Sequence, residues 1–274
     1  MAALAMRGRD DVSSFIAAFT GSNRHVVDYL AEEVLEQQPE HARMFLLQTS
    51  ILHRMCASLC ADVVRQEESK HTDRAADSQA MLELLEHANL FVVPLDEDRG
   101  WYRYHHLFAD VLSQRLGQEH PELLPALHRS ASGWFEGEGL HTEAIHHALA
   151  ARDRERAIRL IESSGMTVVL GQQVRTVLGW IDELPEELVR ERPVLCTIRA
   201  LALVFFKRPD AAEASLQQAE RCLRGNPTTD EARAILGRVA VIRAVIARYS
   251  GDLERCVAMA RRALELLPET EWSA

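Results

Sequence analysis

The sequence predicts a mainly α-helical protein: a winged-helix domain with one β-hairpin, followed by an array of helical hairpins. Three observations carry this. Apolar residues recur at helical spacing along most of the 274 residues. One stretch, residues 90–104, instead breaks into two short runs of β-favouring residues around a turn. A helix–turn–helix pattern also recurs, with turns at Asp210 and Asp252, about 40 residues apart, as in helical-hairpin solenoids.

The elements follow in order. Residues 10–36 read as two short helices split at Thr20-Gly21-Ser22, the second with Val27, Leu30, Ala31, Val34 and Leu35 on one face. Pro39 opens the next helix, since a first turn tolerates proline, and Ala42, Phe45, Leu46, Ile51 and Leu52 form its apolar stripe. A short helix covers 56–64. The polar run 65–77 reads as an exposed loop, and Ser78 is placed to cap a helix over 79–88. Asn89 ends that helix. Residues 90–95 form a strand, 96–100 a turn and 101–104 the returning aromatic strand. A closing helix runs over 106–116.

From Pro121 onward only helices are expected. Helices over 142–151 and 155–163 flank a turn at 152–154; Ser132-Gly133 and Ser164-Gly165 read as helix-end signals. Helices over 201–206 and 211–222 form one hairpin, and those over 242–247 and 253–267 another. Ala212, Ala214 and Ala219 in the first, and Ala258, Ala260 and Ala263 in the second, mark close approaches of helices. Each hairpin exposes apolar surface that a neighbour must cover. The domains expected are 1–36 (a helical remnant), 37–118 (winged helix) and 119–274 (helical repeats).

Composition narrows the function. An apolar share of 47% and a charged share of 26% are those of a soluble globular protein. The net charge of -10 disfavours nucleic-acid binding by this chain. The five cysteines, Cys56, Cys60, Cys196, Cys222 and Cys256, are odd in number and irregular in spacing, which fits a reducing cytosol rather than a disulfide framework. No apolar run approaches the ~20 residues of a membrane span. Arg7, Arg9, Asp10 and Asp11 interrupt any export signal. A cytoplasmic location is expected.

The familiar chemistries are missing. Neither Lys70 nor Lys207, the only lysines, follows a glycine as a phosphate-cradling loop requires, so no P-loop is present. His53, Cys56 and Cys60 lack a second pair at zinc-ligand spacing, and the cysteines share a face with Leu59 and Val63, where free thiols pack. His141, Glu143, His146 and His147 do not form a zinc-protease motif and read as helix surface. Glu32-Glu33 and Glu186-Glu187 read as exposed faces or first turns. No serine sits in a nucleophile elbow. No catalytic residue, metal ligand or bound cofactor is expected, and the chain reads as non-enzymatic.

One segment stands apart: Trp101-Tyr102-Arg103-Tyr104-His105-His106-Leu107-Phe108-Ala109-Asp110-Val111-Leu112, where an aromatic strand runs into a helix with two histidines at the joint. Two readings are open. In one, Tyr104 and Phe108 are core, His106 faces water and His105 is a half-buried, hydrogen-bonded residue. In the other, His105 points out of the joint and donates to an anion beside the free N–H groups of the helix N-terminus.

This run, with Leu90-Phe91-Val92-Val93-Pro94-Leu95-Asp96 before it, resembles the winged-helix segment of the MalT-type large ATP-binding LuxR-family transcriptional regulators, signal-transduction ATPases with numerous domains. Ala18-Phe19-Thr20-Gly21-Ser22 and Val27-Asp28-Tyr29-Leu30-Ala31-Glu32-Glu33-Val34-Leu35 resemble the segment joining ATPase core to winged helix. Phe45-Leu46-Leu47-Gln48-Thr49-Ser50-Ile51-Leu52 resembles the first winged-helix helix. Leu127-His128-Arg129-Ser130-Ala131, Trp134-Phe135 and Glu143-Ala144-Ile145-His146-His147-Ala148-Leu149 resemble the start of the sensor region.

The resemblance implies a tetratricopeptide-like superhelix after the winged helix, sensing a small inducer or a protein on its surface. It also implies an ATPase domain as partner, in cis or from a split gene, with ATP or ADP bound by that domain. In related ATPases a histidine at this joint contacts the ADP β-phosphate, and Tyr104-His105-His106-Leu107 places that role on His105. Against that organisation the sequence reads as a fragment, with the P-loop upstream of Met1 and no DNA-binding domain after Ala274. Glutamates on the third winged-helix helix, where DNA contact demands arginine or lysine, imply no direct DNA binding. Two alternatives stand beside this reading: a stand-alone helical-repeat scaffold for proteins, and a DNA-binding winged-helix protein.

Overall fold

The structure, a computed structural model, describes residues 35–64, 74–224 and 229–267. Residues 10–34 of the expected first helices, the joining segment up to Val34, Glu32-Glu33 and residues 65–73 of the expected loop lie outside the described residues. The rest matches the expected fold class: mainly helical, with one antiparallel hairpin inside a winged helix and helix pairs after it. The described residues fall into two compact units, divided between Leu140 and His141, with residues 150–152 grouping with the first. No described helix is long and apolar enough to cross a membrane.

In the first unit, α1 (Glu40–Thr49) follows Pro39 and buries Ala42, Phe45, Leu46 and Leu47. It stops where hydroxyls turn back on its carbonyls: Thr49 Oγ1 donates to the Phe45 carbonyl at 2.6 Å and Ser50 Oγ to that of Leu47 at 2.7 Å. The α2 helix (Ala57–Val63) buries Leu59, Cys60 and Val63. The α3 helix (Arg74–His87) begins four residues before the expected cap. Ser78 is therefore not a cap but a buried residue inside the helix. Ala75 and Ala76 are strong helix formers, and a solvated first turn carries no apolar stripe to reveal it.

The wing pairs β1 (Val92–Pro94) with β2 (Tyr102–Tyr104), in the register Val92 to Tyr104, Val93 to Arg103 and Pro94 to Tyr102. Strand alternation buries Val92, Tyr102 and Tyr104 and turns Val93 and Arg103 outward. The Asp96 carboxylate accepts from the N–H groups of Gly100 (2.7 Å) and Trp101 (3.0 Å), which closes the turn. Asn89 ends α3 in the left-handed region (φ 55°), as the sequence implied. A feature the sequence concealed is a one-residue third strand. Met55 exchanges two backbone hydrogen bonds with Tyr102, at 2.9 and 2.8 Å, and so ties the α1–α2 connection to the wing.

The α4 helix (His106–Glu119) buries Phe108, Val111, Leu112 and Leu116. It is clipped to α1 through Glu119, which accepts from Arg43 at 2.6 Å and Arg115 at 2.9 Å. Burial alone would raise this carboxyl, but the two guanidinium partners hold it below the usual carboxylate range. The α5 helix (Leu124–Gly137) runs straight through Ser132-Gly133, which is thus not a helix end. Leu127, Ala131 and Phe135 hold it with a buried apolar stripe that outweighs one glycine's helix penalty of about 1 kcal/mol.

The second unit holds α6 (His141–Ala150), α7 (Arg154–Leu170), α8 (Val174–Asp182), α9 (Glu186–Glu191), α10 (Pro193–Phe205), α11 (Pro209–Leu223), α12 (Asp230–Ser250) and α13 (Leu253–Leu266). The α10–α11 and α12–α13 pairs are the expected hairpins, with longer first helices than the sequence implied. Ser164-Gly165 is again interior to a helix. A Cβ on Gly165 would sit 3.2 Å from both Ile161 Cγ2 and Ile198 Cδ1, so the glycine marks the close approach of α10 to α7. Ala212, Ala219 and Ala263 are buried as expected, whereas Ala214, Ala258 and Ala260 are exposed.

The turns of this unit share one construction. Gln172 (φ 66°), Lys207 (φ 56°) and Gly251 (φ 78°) are left-handed. The next N–H bonds back to a carbonyl five residues earlier: Gln173 to Val168 (3.1 Å), Arg208 to Leu203 (3.0 Å) and Asp252 to Ala247 (2.9 Å). Arg152 (φ 56°), before Asp153, repeats the pattern, and Asp153 N–H bonds Ala148 at 2.9 Å. Asp153 and Asp252 cap the following helices, accepting from the N–H groups of Arg156 (3.2 Å) and Arg255 (2.9 Å). Asp210, expected at a turn, instead lies in the first turn of α11, because Pro209 opens the helix and Arg208 stands at its cap.

Candidate functional site

The wing–helix joint is built by the backbone before any side chain acts. His105 stands at the N-cap of α4 in an extended conformation (φ -62°, ψ 134°). Its N–H donates to the Phe91 carbonyl at 2.8 Å, and its own carbonyl receives the N–H groups of Phe108 (2.9 Å) and Ala109 (3.0 Å). The residue is thus fixed at both ends, by the wing and by the first turn of the helix.

The residues on either side of it form an aromatic cluster. Phe108 is fully buried, tilted against Phe91 at 5.4 Å and edge-on to Tyr104 at 5.9 Å between centroids. The Tyr104 hydroxyl lies 2.6 Å from Thr49 Oγ1. The single Thr49 proton is committed to the Phe45 carbonyl, so Tyr104 is the donor of this pair. Burial pushes the Tyr104 phenol well above its ordinary value. Trp101, just before β2, meets Trp134 of α5 edge-on at 6.0 Å and carries the Arg54 guanidinium over its ring at 4.6 Å.

The two histidines part company. His106 is exposed, and His105 is half-buried. Their rings lie 4.3 Å apart. Nδ1 of His105 is buried and has no hydrogen-bond partner. Burial, then the neighbouring His106 and Arg103, lower the His105 pKa. A folded-state pKa below the unfolded value means that the unfolded chain takes up the proton first. The stability this group contributes is therefore complete above about pH 6.5 and falls as the pH drops through the lowered folded value. Replacing His105 by Gln should flatten that acid limb of the first unit's stability, measured by urea unfolding between about pH 7.5 and about pH 5. An unchanged limb would refute it.

The α3 helix sits beside the joint, where Gln79 Nε2 donates to the Tyr102 hydroxyl at 3.3 Å and Glu86 pairs with Arg99 of the wing turn at 3.3 Å. Its exposed residues are Arg74, Ala76, Asp77, Ala80, Glu83, Leu84 and His87, with Leu84 56% exposed. Its one arginine, Arg74, donates to the Val64 carbonyl at 2.8 Å. This face offers acidic and apolar groups.

The remaining candidates are separate from the joint. Cys60 is buried and its thiol is pushed well up by burial, which makes it inert, while Cys56 is half-buried. Among the described residues no His, Cys, Asp and Glu side chains converge as a metal cluster. His141 and His146 lie on the surface of α6, but His147 is 2% exposed and so is core rather than helix surface. It follows Ala144 and Ile145 on the buried side of the helix, a placement that its residue type concealed.

Comparison with known proteins bears out the resemblance. Residues 31–124 match the MalT winged helix domain. Over 256 residues the chain is 32% identical to the serine/threonine-protein kinase PknK of Mycobacterium tuberculosis, which covers 93% of this chain and 22% of that protein. It is 33% identical over 257 residues to the HTH-type transcriptional regulator MalT of Klebsiella pneumoniae, covering 91% of this chain and 26% of the relative. MalT of Cronobacter sakazakii is 30% identical over 244 residues, with 89% and 26% covered. The chain therefore spans about a quarter of the length of the curated relatives it matches.

Proposed function

We propose that the chain is the regulatory and sensing segment of an ATP-dependent transcription activator of the LuxR type, non-enzymatic in itself and acting in the cytoplasm. The winged helix serves as a contact with an ATPase domain, in cis or encoded separately, and His105 faces the nucleotide phosphate held by that domain. The helical array takes up the inducer or a protein.

The observation that carries this reading is the outward face of α3. A helix that reads DNA needs cations for the phosphates, and Asp77, Glu83 and Leu84 stand there instead. The relatives support it from another side. The same segment is shared by a protein named as a kinase and by proteins named as transcriptional regulators, and it forms about a quarter of each. A segment common to both suits regulation better than the activity of either name. His105 is half-buried at the joint, which leaves part of its ring open to an external group.

The test has two arms. In a gel shift at about 0.15 M salt, the purified chain should retard no DNA. In isothermal titration, the chain alone should take up no ADP with micromolar affinity, while a P-loop domain of a MalT-type regulator added in trans should restore binding that His105→Ala weakens. Sequence-specific retardation, or micromolar ADP binding by the chain alone, would overturn the reading.

A further inference from the structure

We propose that the helical array carries a binding site for an organic anion of about two negative charges with a short apolar body, in the concavity bounded by α8, α9, α10 and α11. The inference rests on the sensing role given to the array above and names the class of ligand.

The cavity measures about 520 Å³, enough for a small metabolite. Four arginines line it, Arg190, Arg199, Arg208 and Arg221, against two acids, Asp182 and Glu186. The chain as a whole has the opposite balance, 31 basic to 41 acidic residues. A local excess of two positive charges in an acidic protein concentrates the field where walls of low polarity surround it. Leu178, Leu203 and Ala214 supply such walls.

The arginines are arranged in two ranks. Arg199, with a side chain only 17% exposed, is fixed by Glu186 at 2.8 Å and by Ser215 Oγ at 3.2 Å. Arg190 shares the same carboxylate at 3.0 Å. Hydrogen bonds from Arg199 and then Arg190 outweigh burial and hold Glu186 below the usual carboxylate range, so it stays ionised and keeps both in place. Arg208 and Arg221 complete the rim, and among the described residues neither pairs with a carboxylate. Two guanidiniums without a carboxylate partner, each able to grip a carboxylate or phosphate through two parallel N–H bonds, face a cavity whose inner two already share the Glu186 carboxylate. The matching ligand presents its charge to the rim and its carbon body to Leu178 and Leu203.

The full chain is titrated calorimetrically with adipate and with phenyl phosphate, and with the uncharged counterparts 1,6-hexanediol and benzyl alcohol. Saturable one-to-one binding is expected for at least one anion and for neither neutral compound. The anion that binds tells carboxylate from phosphate ester. Arg208→Gln and Arg221→Gln should each weaken that binding about tenfold, while Arg255→Gln, an exposed arginine on α13, leaves it unchanged. Circular dichroism checks that each variant keeps its helix content. Absence of saturable anion binding, equal binding of the neutral compounds, or equal loss in Arg255→Gln would overturn the proposal. Such a failure, alongside silent DNA and ADP titrations of the chain, would remove this site and leave the regulatory reading standing.

Discussion

Truncating Phe108 to alanine should destabilise the winged helix by about 3–5 kcal/mol. The side chain is fully buried and touches both ends of the wing: Phe91 before β1 and Tyr104 at the end of β2. Its loss removes the transfer free energy of an aromatic ring and the two aromatic contacts. Phe108→Leu should cost markedly less, since it refills most of the volume. Urea unfolding followed by tryptophan fluorescence reports the change, because Trp101 and Trp134 meet within this unit. A loss below about 1 kcal/mol would mean that the wing is not packed on α4 as described.

In the second unit, replacing Arg243 by Met should cost about 2–3 kcal/mol. The guanidinium of α12 grips two carboxylates of α11: Glu213 at 2.8 Å and Glu220 at 2.6 Å. The Arg243 side chain is 17% exposed, and hydrogen bonds to Glu220, then to Glu213 against the opposing effect of burial, hold its charge more firmly than usual. The glutamates are 27% and 35% exposed, so the figure is set below the range for a fully buried pair. Most of the loss comes from two carboxylates left facing an apolar stem. The triple variant Arg243→Met, Glu213→Gln, Glu220→Gln should therefore recover more than half of it. Thermal unfolding compares the three chains; no recovery in the triple variant would show that lost packing, and not orphaned charge, is the cause.

The fold class was legible because its signals are local. Helical periodicity, the aromatic strand beside a Val-rich one, and Asn89 as a stop all act within a few residues. What the sequence hid depends on distant partners. Ser78, Ser132-Gly133 and Ser164-Gly165 carry the composition of helix ends, yet buried stripes and the close approach of Ile198 to Gly165 keep the helices whole. Met55 gives no strand signal, since it pairs through one residue with Tyr102. At the joint, Tyr104, Phe108 and exposed His106 fall where the plainer reading placed them, but Thr49 as the partner of Tyr104 is 55 positions away. The arginines of the array cavity are scattered from 190 to 221 and meet only once four helices are assembled.

The left-handed joints at Gln172, Lys207 and Gly251 have a kinetic consequence. Each ties a helix to its successor through a bond spanning five positions, so nearest neighbours along the chain can dock without a wide search. Low contact order of this kind favours fast assembly. It also lets strain in one hairpin dissipate by fraying there first, so that hydrogen exchange should reveal graded opening along the array in place of a single all-or-none event.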